Sequence, residues 1–363
     1  MIVAMSPEIF GLQRFGGISR YFAELHRALR TQGIDARIIA GWHSSGHLDG
    51  LAGSTVWPHG GKRTARWIRL ANEALFQAWC LRAGDELVVH RTYYDRQWRP
   101  RCGRLVTTVH DLIPELIEDG SGSNELSRLK RQACEESDGI CVPSQTTARD
   151  LQSLWGFPKE RIWITPLGVR RVEASERDWS SQYGQYILFV GNRSGYKNAA
   201  ALFKAFSTAR LSADTSLLCF GGGAPTDGER ALLDGLGIVR RVHFSGGSDA
   251  ELAACYRDAL GYVCPSRYEG FGLPVLEAMI QGCPVACSHA GSLPEVASDM
   301  AIYFDPGSHE DMASALERLA SSRDSTDVRR QSAVAHAESF SWSSTARQTM
   351  MAYEGTHSSR GLG

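Results

Sequence analysis

The chain of 363 residues is 43% hydrophobic and 22% charged, and its formal net charge is −1. These values are typical of a soluble globular protein long enough for two domains. No run approaches the roughly 18 apolar residues of a spanning helix, and the N-terminus has no signal-peptide pattern, so we expect a cytoplasmic protein. The nine cysteines, several in apolar runs, fit reduced core thiols.

The first half of the chain alternates short β-rich runs with helical patterns. Strands are predicted at residues 2–5, 36–40, 86–90, 105–110 and 139–143, with helices at 18–31, 62–82, 124–136 and 144–155. This alternation is typical of a parallel sheet with crossover helices. Periodicity is lost from Phe157 to Trp179, and we place the interdomain linker near residues 170–178.

The second half repeats this rhythm. Strands are predicted at residues 186–190, 216–220, 241–245, 261–265, 284–287 and 301–304, with helices at 198–209, 229–236, 249–257, 273–281 and 292–297. The predicted fold class is therefore α/β, with Rossmann-like domains at residues 1–172 and 173–340. Ligands of such sheets bind at the carboxyl ends of the strands.

The most informative segment runs from Ser266 to Glu277. We expect Glu269 on a loop and Glu277 in the first turn of a helix that begins at Pro274. Glycines between them let the backbone approach a ligand, and the helix N-terminus offers free N–H groups to a phosphate. One carboxylate thus precedes an anion site and the other follows it. A sugar nucleotide has this layout of sugar hydroxyls, diphosphate and ribose hydroxyls.

This segment resembles the Glu-x7-Glu motif of retaining glycosyltransferases of family 4, also called glycosyl transferases group 1. Their GT-B fold has two Rossmann-like domains whose parallel sheets face each other across a cleft. The resemblance implies that Glu277 holds the ribose hydroxyls and that Glu269 binds the transferred sugar as a catalytic residue. It also implies a C-terminal helix, at about residues 341–355, that packs back onto the first domain. The other donor-binding residues implied in this segment are Ser266, Gly270, Phe271, Gly272 and Leu273.

A basic turn ends the first strand of the second domain. The run from Gly191 to Lys197 resembles the family's Gly-Arg-x4-Lys, although Asn192 stands where the first basic residue is usual and Arg193 follows it. Cations are needed here because the leaving diphosphate gains charge as the glycosidic bond breaks. The resemblance implies catalytic roles for Lys197 and Arg193, and donor contacts for both and for Asn192. His243, two strands later, is expected beside the nucleotide base.

Two features of the first domain extend the resemblance. Gly16 and Gly17 precede a helix, where backbone N–H groups suit an anion, and they are expected to face the donor. His110 and Asp111 end a strand and resemble the family's His-Asp motif. The resemblance implies that His110 lies at the reacting centre as a catalytic residue, and that Asp111 binds the acceptor.

A basic, aromatic helix is predicted at residues 62–81. Its basic residues Lys62, Arg63, Arg66 and Arg69 precede any acid, and Trp67 and Trp79 add apolar bulk. Such helices bind anionic membrane surfaces, but a core helix with a basic solvated face has the same pattern. Peripheral contact with the inner membrane is therefore one of two interpretations. A second basic cluster comprises Arg96, Trp98, Arg99, Arg101 and Arg104.

The resemblance predicts a retaining hexosyltransferase similar to bacterial O-antigen and exopolysaccharide mannosyltransferases. It would transfer mannose or a deoxyhexose from a nucleoside diphosphate sugar, with GDP favoured over UDP, to a glycan or lipid-linked glycan. We expect no cofactor and no metal, because the Asp-x-Asp motif of metal-dependent transferases is absent from the sequence. We expect no nucleic-acid partner, because no nucleic-acid-binding motif occurs. The alternatives are a UDP-sugar-dependent transferase of the same fold, a non-hydrolysing sugar-nucleotide epimerase, and a catalytically silent binding module.

Overall fold

The computed structural model describes residues 1–48, 55–56, 62–84, 86–94, 103–117, 124–193, 195–321 and 327–356. The chain divides into two compact units. The first comprises residues 1–112, 122–168 and 342–363, and the second comprises residues 113–121 and 169–341. The change of unit at residue 168 lies four residues before the boundary placed at 172. The helix predicted at about residues 341–355 is assigned to the first unit.

The elements of the first unit follow the alternation expected from the sequence. In chain order they are β1 (Ile2–Met5), α1 (Glu8–Leu12), α2 (Gly17–Thr31), β2 (Asp35–Ile38), β3 (Trp42–His43), β4 (Thr55–Val56), α3 (Lys62–Ala83), β5 (Leu87–Arg91) and β6 (Arg104–Thr108). After α4 (Ile113–Leu116), which belongs to the second unit, come α5 (Asn124–Glu136), β7 (Gly139–Val142), α6 (Gln145–Trp155) and β8 (Ile162–Ile164). The elements that were not predicted are strands β3, β4 and β8 and the short helices α1 and α4.

The first unit contains a six-stranded parallel sheet in the order β2-β1-β5-β6-β7-β8. Strands β5 and β6 are buried at every residue, as expected for strands covered by helices on both faces. The chain passes from β1 to β2 on one side, and the later strands of this sheet, β5 to β8, lie on the other, while β3 and β4 pair separately. The order therefore reverses between β1 and β5, and ligands of such sheets bind in the crevice at this point.

The elements of the second unit repeat the same plan. They are α7 (Trp179–Tyr183), β9 (Tyr186–Val190), α8 (Ala199–Thr208), β10 (Ser216–Phe220), α9 (Asp227–Gly235), β11 (Val242–Ser245), α10 (Asp249–Asp258), β12 (Gly261–Cys264), α11 (Leu273–Ile280), β13 (Val285–Ser288), α12 (Leu293–Ala297), β14 (Ile302–Phe304), α13 (His309–Ser321) and α14 (Asp327–Glu338). The last helix, α15 (Trp342–Gly355), belongs to the first unit. Helices α7, α13 and α14 were not among the predicted elements.

The second sheet is also parallel, in the order β11-β10-β9-β12-β13-β14. Its order reverses between β9 and β12. Helices α9 and α10 each begin with a capping box, in which Thr226 pairs with Glu229 and Ser248 with Glu251. The predicted α/β class with two Rossmann-like parallel sheets is confirmed. Among the described helices, none is both long and apolar enough to cross a membrane.

Candidate active site

The reversal point of the second sheet carries the loop and helix that the sequence singled out. Strand β12 ends at Cys264, and α11 begins at Leu273. Gly272 is the N-cap residue with φ +94°, a left-handed conformation that favours glycine, and no side chain caps the helix. A Cβ atom at Gly272 would lie 2.6 Å from Leu293 Cδ2. The backbone therefore turns sharply here and leaves the first N–H groups of α11 for a ligand.

The helix begins at Leu273, as in the predicted bounds of residues 273–281, and not at Pro274. Because Gly272 takes the left-handed conformation, Leu273 already has helical geometry and Pro274 is not the first residue. Glu277 consequently lies in the second turn of α11, and the expectation of a first-turn glutamate was wrong. Its side chain is half-buried, so it remains partly open to a ligand.

Glu269 lies on the loop before α11 and is held at both its side chain and its backbone. Its Oε1 accepts hydrogen bonds from Lys197 Nζ at 2.8 Å and from Ser266 Oγ at 2.6 Å. Its carbonyl oxygen accepts from Ser292 N at 3.1 Å and Ser292 Oγ at 2.9 Å. A Cβ atom at Gly291 would come within 2.8 Å of the Glu269 backbone nitrogen. The carboxylate is therefore preorganised by contacts from three separate segments.

Lys197 brings a positive charge to this carboxylate from a short turn, Gly195–Lys197, after β9. Burial alone lowers the pKa of the Lys197 ammonium, but the adjacent Glu269 carboxylate outweighs it and raises the pKa above the ordinary value. Asn198, with φ 60°, donates to the carbonyl oxygens of Pro265 at 3.1 Å and Pro306 at 3.0 Å. The loops after β9 and β12 are thereby joined at the reversal point.

Arg193 has a different environment from the one expected. Its Nε donates to Glu229 Oε1 at 2.7 Å, and its terminal nitrogens donate to the carbonyl oxygens of Gly221 at 2.9 Å and Ala224 at 3.0 Å. The guanidinium group also lies over the Phe244 ring. Through these contacts the guanidinium group holds the glycine-rich loop after β10 against the start of α9. They favour a structural role over the catalytic phosphate contact that the sequence pattern suggested.

The remaining donor-side residues are distributed around the same edge. Ser266 is buried against Glu269, Phe271 is buried with its ring 6.0 Å from that of Phe340, and Asn192 is exposed. His243 lies on β11 with its ring 4.9 Å from that of Tyr183, and burial lowers its pKa. Gly270 is buried on the same loop. Apart from His243, which lies within β11, the donor-binding residues predicted in the second domain thus follow strands of one sheet.

His110 follows β6 in the first unit, at the carboxyl edge of the sheet. Its ring makes an edge-to-face contact with Tyr21 at 4.9 Å, and its Nε2 is buried without a hydrogen-bond partner among the described residues. Burial, and then the charge of Lys130, lower the pKa of His110 to about 3. The imidazole is therefore neutral near pH 7.

The backbone beside His110 is held by two buried side chains. Tyr94 Oη donates to the Thr108 carbonyl oxygen at 2.9 Å, and Lys130 Nζ donates to the Asp111 carbonyl oxygen at 3.0 Å. Lys130 Nζ also lies 3.9 Å from Asp111 Oδ1. Asp111 is thus paired with a cation on its own unit, and its carboxylate is partly exposed.

The glycines expected at the other anion site lie at the start of α2. Gly16 is its N-cap residue and has no capping side chain of its own. The Gln13 side chain accepts from Ser19 N at 3.3 Å, and a Cβ atom at Gly16 would collide with it. Gly17 has no atom within 4 Å of a Cβ position, so its surface is open. The Gln13 side chain therefore also lies at the start of this helix, and no sequence motif indicated this.

Sequence reasoning also missed the buried neighbours of His110. His90 Nδ1 lies 2.7 Å from Tyr353 Oη, and His90 Nε2 lies 2.7 Å from Thr108 Oγ1. Burial, and then the charge of His110, lower the pKa of His90 to about 3. Tyr353 lies 263 positions along the chain from His90, so no local pattern could have predicted this contact.

The predicted membrane-binding helix corresponds to α3. Trp67 is 73% exposed, Leu75 52% and Leu70 45%, and Arg69 is also exposed, whereas Phe76 and Cys80 are buried. The side chains of Lys62, Arg63 and Arg66 lie outside the described residues, as do Arg96, Trp98, Arg99 and Arg101 of the second basic cluster. Arg104 is not a surface residue, because it is buried and donates to Thr356 Oγ1 at 3.2 Å.

Comparison with known proteins places both units in related families. A model described as "Glycosyltransferase Family 4" matches residues 15–171, and one described as "Glycosyl transferases group 1" matches residues 175–335. O-antigen chain mannosyltransferase B of Escherichia coli is 27% identical over 299 residues, which are 77% of each chain. The MMP alpha-(1->4)-mannosyltransferase of Mycolicibacterium hassiacum is 31% identical over 234 residues, which are 62% of this chain and 56% of that protein.

Solved structures share the fold over nearly the whole chain. Sucrose-phosphate synthase from Thermosynechococcus elongatus superimposes with a TM-score of 0.74 at 20% identity, covering 97% of this chain and 98% of that one. The lipopolysaccharide outer core galactosyltransferase WaaB superimposes with a TM-score of 0.67 at 18% identity, covering 97% and 99%. At these identities the likeness concerns the fold.

Proposed function

We propose that this chain, which belongs to glycosyltransferase family 4 and is a glycosyltransferase of the GT-B fold, transfers mannose or a deoxyhexose from a GDP-sugar. The acceptor is a hydroxyl group of a glycan or lipid-linked glycan in surface polysaccharide synthesis. Membership of this family sets aside the epimerase alternative. Mannosyl transfer is supported by the two mannosyltransferase relatives.

The observation that carries this proposal is the group formed by Glu269, Lys197 and Ser266 beside the uncapped start of α11. It combines a fixed carboxylate for sugar hydroxyls, a cation and free backbone N–H groups for a diphosphate. These groups are preorganised before the substrate arrives, which is the condition under which electrostatic stabilisation of a transition state is most effective. Glu277, one turn further along α11, is the candidate for the ribose hydroxyls.

The mechanism we propose retains the configuration of the transferred sugar. The acceptor attacks the face that the diphosphate leaves, and the departing phosphate oxygen takes the proton of the acceptor hydroxyl. Lys197 and the backbone N–H groups of Gly272 and Leu273 stabilise the charge on that phosphate, while Glu269 contacts the sugar. His110 remains a proposed catalytic residue of the first unit. Exclusion of water favours transfer over hydrolysis. The absence of an Asp-x-Asp motif from the sequence supports a metal-independent reaction.

The nucleotide is tested by thermal stabilisation and nucleotide release with UDP-, GDP-, dTDP- and ADP-sugars in the presence of EDTA. We expect GDP-sugars to raise the melting temperature and to release GDP, faster when methyl α-D-mannopyranoside or another methyl glycoside is supplied. A response confined to UDP-sugars would establish the UDP alternative. No response to any sugar nucleotide would contradict the proposal, and loss of the response in EDTA would contradict metal independence.

Two substitutions separate the proposed roles within the donor site. Glu277→Ala should raise the donor dissociation constant about tenfold or more, because it removes ribose hydrogen bonds made in the ground state. Lys197→Ala should mainly lower kcat, because its charge is needed most as the diphosphate departs. Donor binding and initial rates measured on both variants check this difference. Equal and small effects on both quantities would contradict the assignment.

We also propose that α3 contacts the anionic inner surface of the membrane, where lipid-linked acceptors are found. The exposed Trp67, Leu70 and Leu75, together with Arg69, support this because such surfaces combine apolar insertion with charge attraction. The chain should float with vesicles containing anionic phosphatidylglycerol but not with pure phosphatidylcholine. Trp67→Ser should reduce this binding, and Val239→Ser, at an exposed apolar residue of the second unit, should not.

A further inference from the structure

The reversal point of the first sheet contains a polar group that the proposed donor site does not use. Strand β1 ends at Met5 and pairs with β5 in register, Met5 opposite His90. Ser6 N donates to the His90 carbonyl oxygen at 3.2 Å, so the residues that follow both strands remain adjacent. Glu8 and Thr92 are among them. The equivalent reversal point in the second unit carries Lys197 and Glu269, and such points are where doubly wound sheets bind ligands.

The carboxyl group of Glu8 is oriented by hydroxyl groups from both strand ends. Its Oε2 is hydrogen-bonded to Ser6 Oγ and lies 3.0 Å from Thr92 Oγ1. Thr92 N donates to Ser6 Oγ at 2.9 Å, and Ile9 N donates to Thr92 Oγ1 at 3.2 Å. These backbone contacts fix the two hydroxyl groups and, through them, the carboxyl group. Glu8 itself is half-buried, so part of it is open to a ligand.

The hydrogen-bond arrangement suits a ligand that donates to the Glu8 carboxyl group. Thr92 Oγ1 has one hydrogen but lies 3.0 Å from two acceptors, the Ser6 carbonyl oxygen and Glu8 Oε2. A protonated Glu8 would satisfy this shortage by donating, and an ionised one would accept. Desolvation raises the pKa of the Glu8 carboxyl group, against the lowering effects of its hydrogen bonds and of the Arg91 charge. A sugar hydroxyl group can donate to this carboxyl group in either protonation state.

We propose that Glu8 is a further substrate-binding residue, whose carboxyl group binds a hydroxyl group of the acceptor sugar. This inference rests on the proposed function, because it requires a glycan acceptor. It identifies the acceptor class as a sugar that offers a free hydroxyl group to a carboxyl group at the end of β1. It also makes Thr92 and Ser6 the residues that position this carboxyl group.

The test compares acceptor and donor kinetics of the intact chain with those of Glu8→Gln and Glu8→Ala. With GDP-mannose as donor, and the methyl glycoside that the wild type uses as acceptor, both variants should raise the acceptor KM at least tenfold. Donor KM and slow donor hydrolysis without acceptor should stay within twofold of the wild type. The control is Glu86→Gln, because Glu86 is an exposed glutamate that pairs with the N-terminal amine before β5. Its acceptor KM should not change.

The outcomes distinguish this inference from the function on which it rests. If the wild type transfers sugar and both Glu8 variants keep its acceptor KM, the inference is overturned while the function stands. A fall in kcat and donor binding together with a lower melting temperature would show a structural role and also overturn it. If the wild type neither hydrolyses the donor nor transfers to any glycoside, the proposed function itself fails.

Discussion

At the scale of single residues, the contacts of a charged side chain indicate whether its role is structural or catalytic. Lys197 and Arg193 lie four residues apart in one basic turn, and both were expected to meet the donor diphosphate. Lys197 pairs with the Glu269 carboxylate on the loop before α11, whose start has no side-chain cap. Arg193 is buried and bonded to three backbone or side-chain groups of the loop after β10 and of α9. These contacts favour a structural role for Arg193, and Lys197 remains the proposed catalytic cation.

Arg193→Lys tests this distinction. A lysine keeps the charge but not the planar set of donors that contacts Glu229, Gly221 and Ala224 together, so the free energy of unfolding should fall by about 2 kcal/mol or more. Arg230→Lys is the matched control, because Arg230 makes an exposed ion pair with Asp227 in the same helix and should change stability by less than about 0.5 kcal/mol. Urea denaturation measures both. Unchanged stability with weakened donor binding would instead support the phosphate role.

The buried histidines make stability depend on pH in a definite direction. His90 has an ordinary pKa of 6.5 and a folded-state pKa of about 3, so below about pH 6.5 the unfolded chain binds a proton that the folded chain does not. The contribution of His90 to the free energy of unfolding is therefore complete above about pH 6.5 and is lost as the pH falls toward 3. His90→Gln removes the titrating group while an amide can still bond to Tyr353 and Thr108.

Unfolding free energies measured by urea denaturation between pH 7 and pH 4 check this prediction. Below pH 6, the wild type should lose stability more steeply than His90→Gln, by up to about 1.4 kcal/mol per pH unit. Parallel curves would show that His90 titrates normally.

At the scale of elements, the start of α11 depends on one glycine conformation. Gly272→Ala should destabilise the chain by about 1–3 kcal/mol, because alanine disfavours φ +94° and its Cβ would meet Leu293. Donor affinity should fall as well, since the N–H groups of α11 would shift. Gly228→Ala, at an open position inside α9, should be neutral or slightly stabilising. Melting temperatures of both variants, measured with and without the nucleotide, check stability and donor affinity. Equal effects of the two substitutions would contradict the prediction.

The strand and helix boundaries show how far local sequence decides an element. Strands β1, β9 and β10 have the predicted bounds, because each is a compact run of buried apolar residues between turn signals. Strand β8, with only three half-buried residues, was missed, because so short a run has no clear periodicity. Pro274 was expected to be the first residue of α11 but is its second, since proline marks the first turn of a helix without deciding which position it takes.

At the scale of the whole molecule, helix α15 belongs to the first unit although it follows the second along the chain. Tyr353 is fully buried and contacts His90, and Thr345 Oγ1 donates to the Pro166 carbonyl oxygen at 2.7 Å. A chain that ends at Ser341 should therefore lose ordered structure in the first unit while the second keeps its core. Limited proteolysis followed by mass spectrometry should cleave preferentially within residues 1–168. Equal resistance of both units would show that α15 is dispensable.

By itself, the sequence determined the α/β class, the alternation of strands and helices in both halves and the family to which the chain belongs. These depend on apolar periodicity, turn residues and motifs such as Ser266–Glu277, all of which act over short distances along the chain. Only the tertiary structure decided that Glu269 pairs with Lys197, that Arg193 is held by Glu229, and that His90 contacts Tyr353. It also brought Glu8 and Thr92 together. These pairs are separated by 36 to 263 positions, and their contacts depend on strand order and on the packing of loops at the sheet edge, which local patterns do not encode.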